Sequence, residues 1–305
     1  MPLDTGVAII APGGYAPDET TVARAIAYLE SQGCRVFNYY HSAEKFQRFG
    51  GSDAARLQQL EAAAANPDVR VVLALRGGYG LSRLLTQIDF HKLAASGKLF
   101  VGQSDLTPLH MGLLKEGAAS FAGPMICDDF GAEERNAYGM EQFWQCLRGP
   151  AHTVKADADG NPAVEVFGKL WGGNLAMLAH LSGTPYMPEV EGGILFLEDI
   201  AEHPFRVERM LLQLLYSGVL AQQKAVLLGQ FTNYRLSDYD NGYDFEAMLS
   251  YIRSVCPIPV LTGLPFGHVR EKTTLAVGSN AHLESDGTRW QLTMRDYPTL
   301  GTLAA

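Results

Sequence analysis

The sequence predicts an α/β protein: a parallel-sheet N-terminal domain followed by a smaller, β-rich mixed α/β C-terminal domain. Three observations predict it. Short apolar runs alternate with helical patterns through the first half, the order that yields a parallel sheet covered by helices. Glycines, 32 in 305 residues, gather where those runs end, at Gly13-Gly14, Gly77-Gly78 with Gly80, Gly172-Gly173 and Gly192-Gly193. Beyond residue 149 the spacing shifts toward strand-type alternation, which puts a boundary near 150–165 and expected domains at 1–155 and 156–305.

In chain order, residues 6–12 (GVAIIAP) read as a buried strand closed by Gly13-Gly14. A helix follows Asp18, with Val22, Ile26 and Leu29 on one face and Gly33 as its stop. Residues 35–40 form a second strand, 53–66 an amphipathic helix, and 69–75 a third strand ending in Arg76-Gly77-Gly78-Tyr79-Gly80. Helix is expected at 81–87, strand at 99–102 and helix at 106–116. Past the boundary, residues 152–167 read as a hairpin turned by Asp159-Gly160-Asn161-Pro162. Trp171-Gly172-Gly173-Asn174 introduces a helix at 175–182; strands at 193–197 and 225–229 flank a helix at 206–217. Strands at 259–261, 273–277 and 290–294 complete the chain.

Composition excludes several function classes. The chain is 47% hydrophobic and 19% charged with net charge −9, a globular composition that repels nucleic acid. No apolar run reaches the roughly 18–20 residues of a membrane span. Met1-Pro2-Leu3-Asp4-Thr5-Gly6 lacks the basic region of a secretory signal, so a cytoplasmic location is expected. Cys34, Cys127, Cys146 and Cys256 form no C-x-x-C pair and read as reduced thiols. No H-E-x-x-H or zinc-ligand spacing occurs, so no metal and no cofactor is expected, a carboxylate-only magnesium site staying open.

Phe100-Val101-Gly102-Gln103-Ser104-Asp105-Leu106-Thr107 is the most informative stretch: a strand, a glycine, a serine, then a helix with Pro108 in its first turn. A serine there projects from the carboxyl edge of the sheet, beside helix N–H groups that suit an oxyanion. Capping of the helix by Ser104 or Asp105 is the competing role. The Arg76–Gly80 turn opens on the same edge and is neither a P-loop nor a dinucleotide fingerprint. Among eight histidines, His110, His203 and His268 lie near such edges, and spacing does not choose among them. Glu198-Asp199 ends an apolar strand, where an acid can orient a histidine or bind an amine; Glu202 and Arg206 form an i,i+4 pair.

These stretches, with Ala11-Pro12-Gly13-Gly14-Tyr15, Leu170-Trp171-Gly172-Gly173-Asn174-Leu175, His203-Pro204-Phe205-Arg206 and Gly263-Leu264-Pro265-Phe266-Gly267-His268, run in one order through most of the chain. Together they resemble the LD-carboxypeptidase family of serine peptidases. The resemblance implies a flavodoxin-like first domain and a Ser104, Glu198, His268 triad, with Glu202 as the fallback acid and the N–H groups of Gly78 and Asp105 as oxyanion hole. It also implies Arg76, Trp171 and Asn174 at the substrate. The implied substrate is murein tetrapeptide (L-Ala-D-Glu-meso-diaminopimelate-D-Ala), cut at the bond to its terminal D-Ala during peptidoglycan recycling, by a homodimer. A cation should meet the D-Ala carboxylate; Arg76, Arg235, Arg270 and Lys272 are candidates. Competing functions are a self-immunity peptidase acting on acylated adenylate antibiotics, a generic esterase and a non-catalytic peptide-binding module.

Overall fold

The computed structural model describes residues 4–301. Residues 1–3 and 302–305, where the two expected domains and the Met1–Gly6 stretch begin or end, lie outside the described residues.

The first unit follows the alternation read from the sequence: β1 (Thr5–Ile10), α1 (Glu19–Ser31), β2 (Cys34–Asn38), α2 (Asp53–Ala65), β3 (Val69–Ala74), α3 (Phe90–Ala95), β4 (Leu99–Gly102), α4 (Thr107–Lys115), β5 (Ser120–Ala122) and α5 (Ala137–Arg148). Helix starts obey side-chain chemistry: Asp18, Ser52, Asp89 and Asn136 each accept from a main-chain N–H in the first turn. The strands stand in the order β5-β4-β3-β1-β2, all parallel, which is the flavodoxin-like order. The sheet reverses direction of winding between β1 and β3, so the loops after these strands open at the switch point where such sheets bind ligands. Residues Ile9, Leu73, Val101 and Phe121 are buried on one layer of core, and Ala8, Val72 and Phe100 on the other.

The second unit contains β6 (Ala151–Asp157), β7 (Val164–Asn174), α6 (Leu175–Leu181), β8 (Ile194–Ile200), α7 (Pro204–Tyr216), β9 (Ala225–Thr232), α8 (Phe245–Val255), β10 (Val260–Leu261), β11 (Leu275–Val277), β12 (Asn280–Ser285) and β13 (Arg289–Arg295). Its sheet runs β10-β9-β8-β7-β12-β13-β6. β7 is its pivot. Residues up to Lys169 pair antiparallel with β12, whereas Leu170 to Asn174 pair parallel with β8.

The structure departs from or adds to the sequence reading at several points, among them β5, α5, α8 and β12, which that reading does not contain. The expected hairpin at 152–167 does not form, because the β12–β13 hairpin inserts between β6 and β7. The helix expected at 81–87 is a single 3-10 turn at Leu81–Arg83, and the helix starts later, where Asp89 caps it. Trp171 to Asn174, read only as leading into the helix at 175–182, is the end of strand β7. Finally β11, far along the second unit, pairs antiparallel with β5 of the first sheet. The connection carrying His268 is therefore anchored at one end in β10 and at the other in the first sheet.

Candidate active site

Ser104 sits where β4 gives way to α4 and holds φ +63°, a left-handed conformation that costs a non-glycine residue of order 1–2 kcal/mol. The turn is held from behind by His110. Its Nε2 donates to the Gly102 carbonyl (2.9 Å) while Nδ1 accepts from the Ser120 hydroxyl (2.8 Å). Burial lowers its pKa to about 4, and with both ring nitrogens committed to Gly102 and Ser120, His110 pins the turn. Gly77 packs directly on the serine: a Cβ there would lie 2.7 Å from both Cβ and Oγ of Ser104, so only glycine fits. Gly78 follows at φ +82°.

Glu198 lies near the end of β8, opposite Asn174 of β7 in the strand register. The β8–β9 register shifts between Leu197 and Asp199, a bulge of the kind that re-aims a side chain beside a site. Glu198 is fully buried, and its Oε2 accepts from His268 Nδ1 at 2.7 Å. A buried carboxylate costs several kcal/mol unless it is paired, so this bond fixes both partners. For His268, burial works against the imidazolium, but the hydrogen bond and charge of Glu198 outweigh it and raise its pKa above the usual value. Asp199, pushed up to about 6 by burial, accepts from Asn174 Nδ2 (2.8 Å) and from the Ala176 and Ile200 main chain (2.9 and 2.8 Å).

One chain of hydrogen bonds joins the two units. The Thr107 hydroxyl donates to the Ser104 carbonyl (2.7 Å) and accepts from the Asn174 N–H (3.0 Å). The Asn174 amide donates to Glu198 Oε1 (3.3 Å), and Glu198 holds His268. Gly173 makes this approach possible, since a Cβ there would stand 2.6 Å from the Thr107 hydroxyl at φ +148°. Thr107 and Asp199 stand in the motifs read from the sequence, but their bridging roles are not assigned there. A second tie is the buried pair Lys272–Asp129 (2.9 Å), four residues past His268.

Several residues expected at the substrate are committed elsewhere. Trp171 is fully buried and its indole donates to Gln223 (2.8 Å), which makes it core rather than substrate wall. Asn174 is also buried. Besides its amide donations, its Oδ1 accepts from Met177 N to cap α6, so it orients Glu198 instead of offering a group to substrate. Lys272 is spent on Asp129, and Arg270 is exposed and bonded to the Glu134 carbonyl (2.9 Å). Arg235 is exposed in the segment after β9. Arg76 is half-buried beside the Gly77 turn; its Nε has no hydrogen-bond partner, and it forms no ion pair among the described residues. The fallback acid Glu202 faces Arg206 (3.6 Å), and His203 caps α7 while facing Asp240 (3.2 Å). Among the described residues, Glu165, His282 and Glu284 lie close enough together to share a metal, but on β7 and β12 rather than at these strand ends. No helix among the described residues is long and apolar enough to cross a membrane.

Comparison with known proteins places this geometry in a setting. The model of the LD-carboxypeptidase N-terminal domain matches residues 7–123, and that of the LD-carboxypeptidase C-terminal domain matches residues 167–283. The chain is 30% identical to the murein tetrapeptide carboxypeptidase of Pseudomonas aeruginosa, covering 95% of this chain and 96% of that one. It is 29% identical to a probable murein peptide carboxypeptidase of Bacillus subtilis, over 92% and 88%. Among solved structures, the muramoyltetrapeptide carboxypeptidase from Oxalobacter formigenes superposes with TM-score 0.93 at 57% identity, covering 97% of this chain and 100% of that one. The microcin C7 self-immunity protein MccF shares the fold, with TM-score 0.88 at 21% identity over 98% of both chains.

Proposed function

The chain belongs to the LD-carboxypeptidase family, and from that premise we propose that it is a serine peptidase that removes the terminal D-Ala of murein tetrapeptide. The observation that carries the reading is the 2.7 Å bond from His268 Nδ1 to a fully buried Glu198, tied by hydrogen bonds to the strained turn of Ser104.

With Nδ1–H committed to Glu198, the imidazole offers Nε2 as an acceptor, the tautomer a general base requires. His268 takes the Ser104 proton as Oγ attacks the carbonyl carbon of diaminopimelate. The N–H groups of Gly78 and Asp105 receive the oxyanion, and each such donor is worth about 10²–10³ in rate. Glu198 stabilises the imidazolium, which then protonates the amine of the departing D-Ala. Water, activated by the same imidazole, hydrolyses the acyl-enzyme. Arg76, beside the serine turn and without an ion-pair partner among the described residues, meets the carboxylate of the leaving D-Ala. The enzyme works in the cytoplasm during peptidoglycan recycling, as a homodimer.

Incubation with L-Ala-D-Glu-meso-diaminopimelate-D-Ala, followed by assay of free D-Ala, tests the reading. Stoichiometric release supports it. Failure to release D-Ala, together with turnover of an acylated adenylate, overturns it.

A further inference from the structure

Asp105 lends its main chain to the serine turn, yet its side chain has no part in the chemistry described above. That side chain is buried (4% exposed), and its Oδ2 accepts from the Leu81 N–H at 2.8 Å. Oδ1 is buried with no hydrogen-bond partner. The same loop is gripped from its other side by Arg56, which is fully buried. One of its nitrogens donates to the carbonyls of Pro12 and Gly80, the latter at 2.9 Å, and another to Asp53 at 2.6 Å. The end of the turn is thus held at the Gly80 carbonyl by Arg56 and at the adjoining Leu81 N–H by Asp105. The three loops involved are in contact: a Cβ on Gly13 would lie 2.6 Å from the Gly78 carbonyl and 3.2 Å from Asp105 Oδ2.

A glycine-rich turn has little intrinsic preference for one conformation, so a fixed N–H position needs outside restraint. Burying a carboxyl costs free energy, which here pushes Asp105 up to about 7. The main-chain N–H of Leu81 recovers part of that cost, and in return the loop is immobilised next to Ser104.

We propose that the Asp105 carboxyl, working against Arg56, is a positioning clamp that fixes the turn at residues 77–80 so that the Gly78 N–H stands ready for the oxyanion. The catalytic consequence rests on the serine-peptidase reading, whereas the restraint on the loop does not. An oxyanion donor acts mainly on the transition state, so loosening it lowers kcat and leaves KM nearly unchanged.

The test uses Asp105→Ala and Asp105→Asn in the full chain, with D-Ala release kinetics and amide hydrogen exchange over residues 76–83. For the alanine variant the clamp predicts a fall in kcat of about 10²-fold with KM within about threefold. It also predicts faster exchange at 77–81. Asparagine keeps an acceptor oxygen and recovers part of both, and it carries the test should the alanine variant not fold. Wild-type kcat in the alanine variant, unchanged exchange, or an asparagine variant no better than alanine would overturn the clamp. If the wild type releases no D-Ala, the peptidase reading falls, and exchange alone then decides: unchanged rates in the variants still overturn the clamp.

Discussion

Glu198→Gln is the most revealing single change, because it preserves shape and removes one charge. Glu198 Oε2 accepts from His268 Nδ1 and Oε1 from Asn174 Nδ2, with no exposure to water. Glutamine has one acceptor and one donor group for these two donors. If its oxygen faces His268, its NH2 meets the Asn174 NH2, donor against donor in a buried site. If its NH2 faces His268, Nδ1 must accept, the proton moves to Nε2, and the nitrogen needed to deprotonate Ser104 is blocked. A charge-assisted hydrogen bond is worth about 1.5–3 kcal/mol, or roughly 10- to 100-fold in rate. The tautomer error adds to this; the equivalent Asp→Asn exchange in serine-protease triads costs about 10⁴ in kcat. The expected loss is therefore about 10³–10⁴ in kcat, with KM little changed because Glu198 does not touch substrate. The Glu198 charge also raises the His268 pKa, so the acid limb of kcat/KM lies above pH 6.5 in the wild type and moves to lower pH in the variant. D-Ala release measured from pH 5 to 9 reads both effects. Rates within tenfold of wild type, with an unmoved acid limb, would refute the assigned role.

Three further expectations concern the seam between the units and the serine turn. Thr107→Val leaves the buried Asn174 N–H without its partner, while the Ser104 carbonyl keeps the Thr107 main-chain N–H. It should cost about 1–3 kcal/mol, read as a lower urea midpoint at constant m-value. Lys272→Met strands the buried Asp129 carboxylate, so a loss of about 3–5 kcal/mol is expected at neutral pH. Burial pushes Asp129 upward, so protonation should relieve that loss on acidification, a trend visible in melting temperature against pH. Burial also depresses His110 to about 4. Its contribution to stability is complete above pH 6.5 and is lost as pH falls through about 4, whereas that of His268, whose pKa is raised, is complete below pH 6.5 and lost as pH rises through its folded value. His110→Gln should flatten the acid limb of the melting curve.

What could be read in advance followed from local rules. The run at 99–102, ending in glycine and followed by serine and helix, announced the turn that carries Ser104, because strand and helix signals meet across a single residue there; its left-handed φ is a structural finding. Glycines 77 and 173 were visible as clusters, but their reasons, Ser104 and Thr107, lie 27 and 66 residues away and belong to packing. The strand order was partly legible too, since βαβ units constrain their neighbours. The pairing of β6 with β13 was not, because the short turn at Asp159-Gly160 mimics a hairpin while the true partners lie more than 100 residues on. Asn174 illustrates the same limit. Its motif marked it as important, but only the register opposite Glu198 reveals that it serves the acid rather than the substrate. Trp171 read as a binding aromatic, and its burial against Gln223 is a tertiary fact.

The central claim is that Ser104 attacks with His268 as its base. Release of D-Ala from the tetrapeptide, measured side by side for wild type, Ser104→Ala and His268→Ala of equal thermal stability, tests it most directly. The account predicts rapid release by wild type and a fall of at least about 10³-fold in each variant. Release that persists at near wild-type rate in either variant would contradict it.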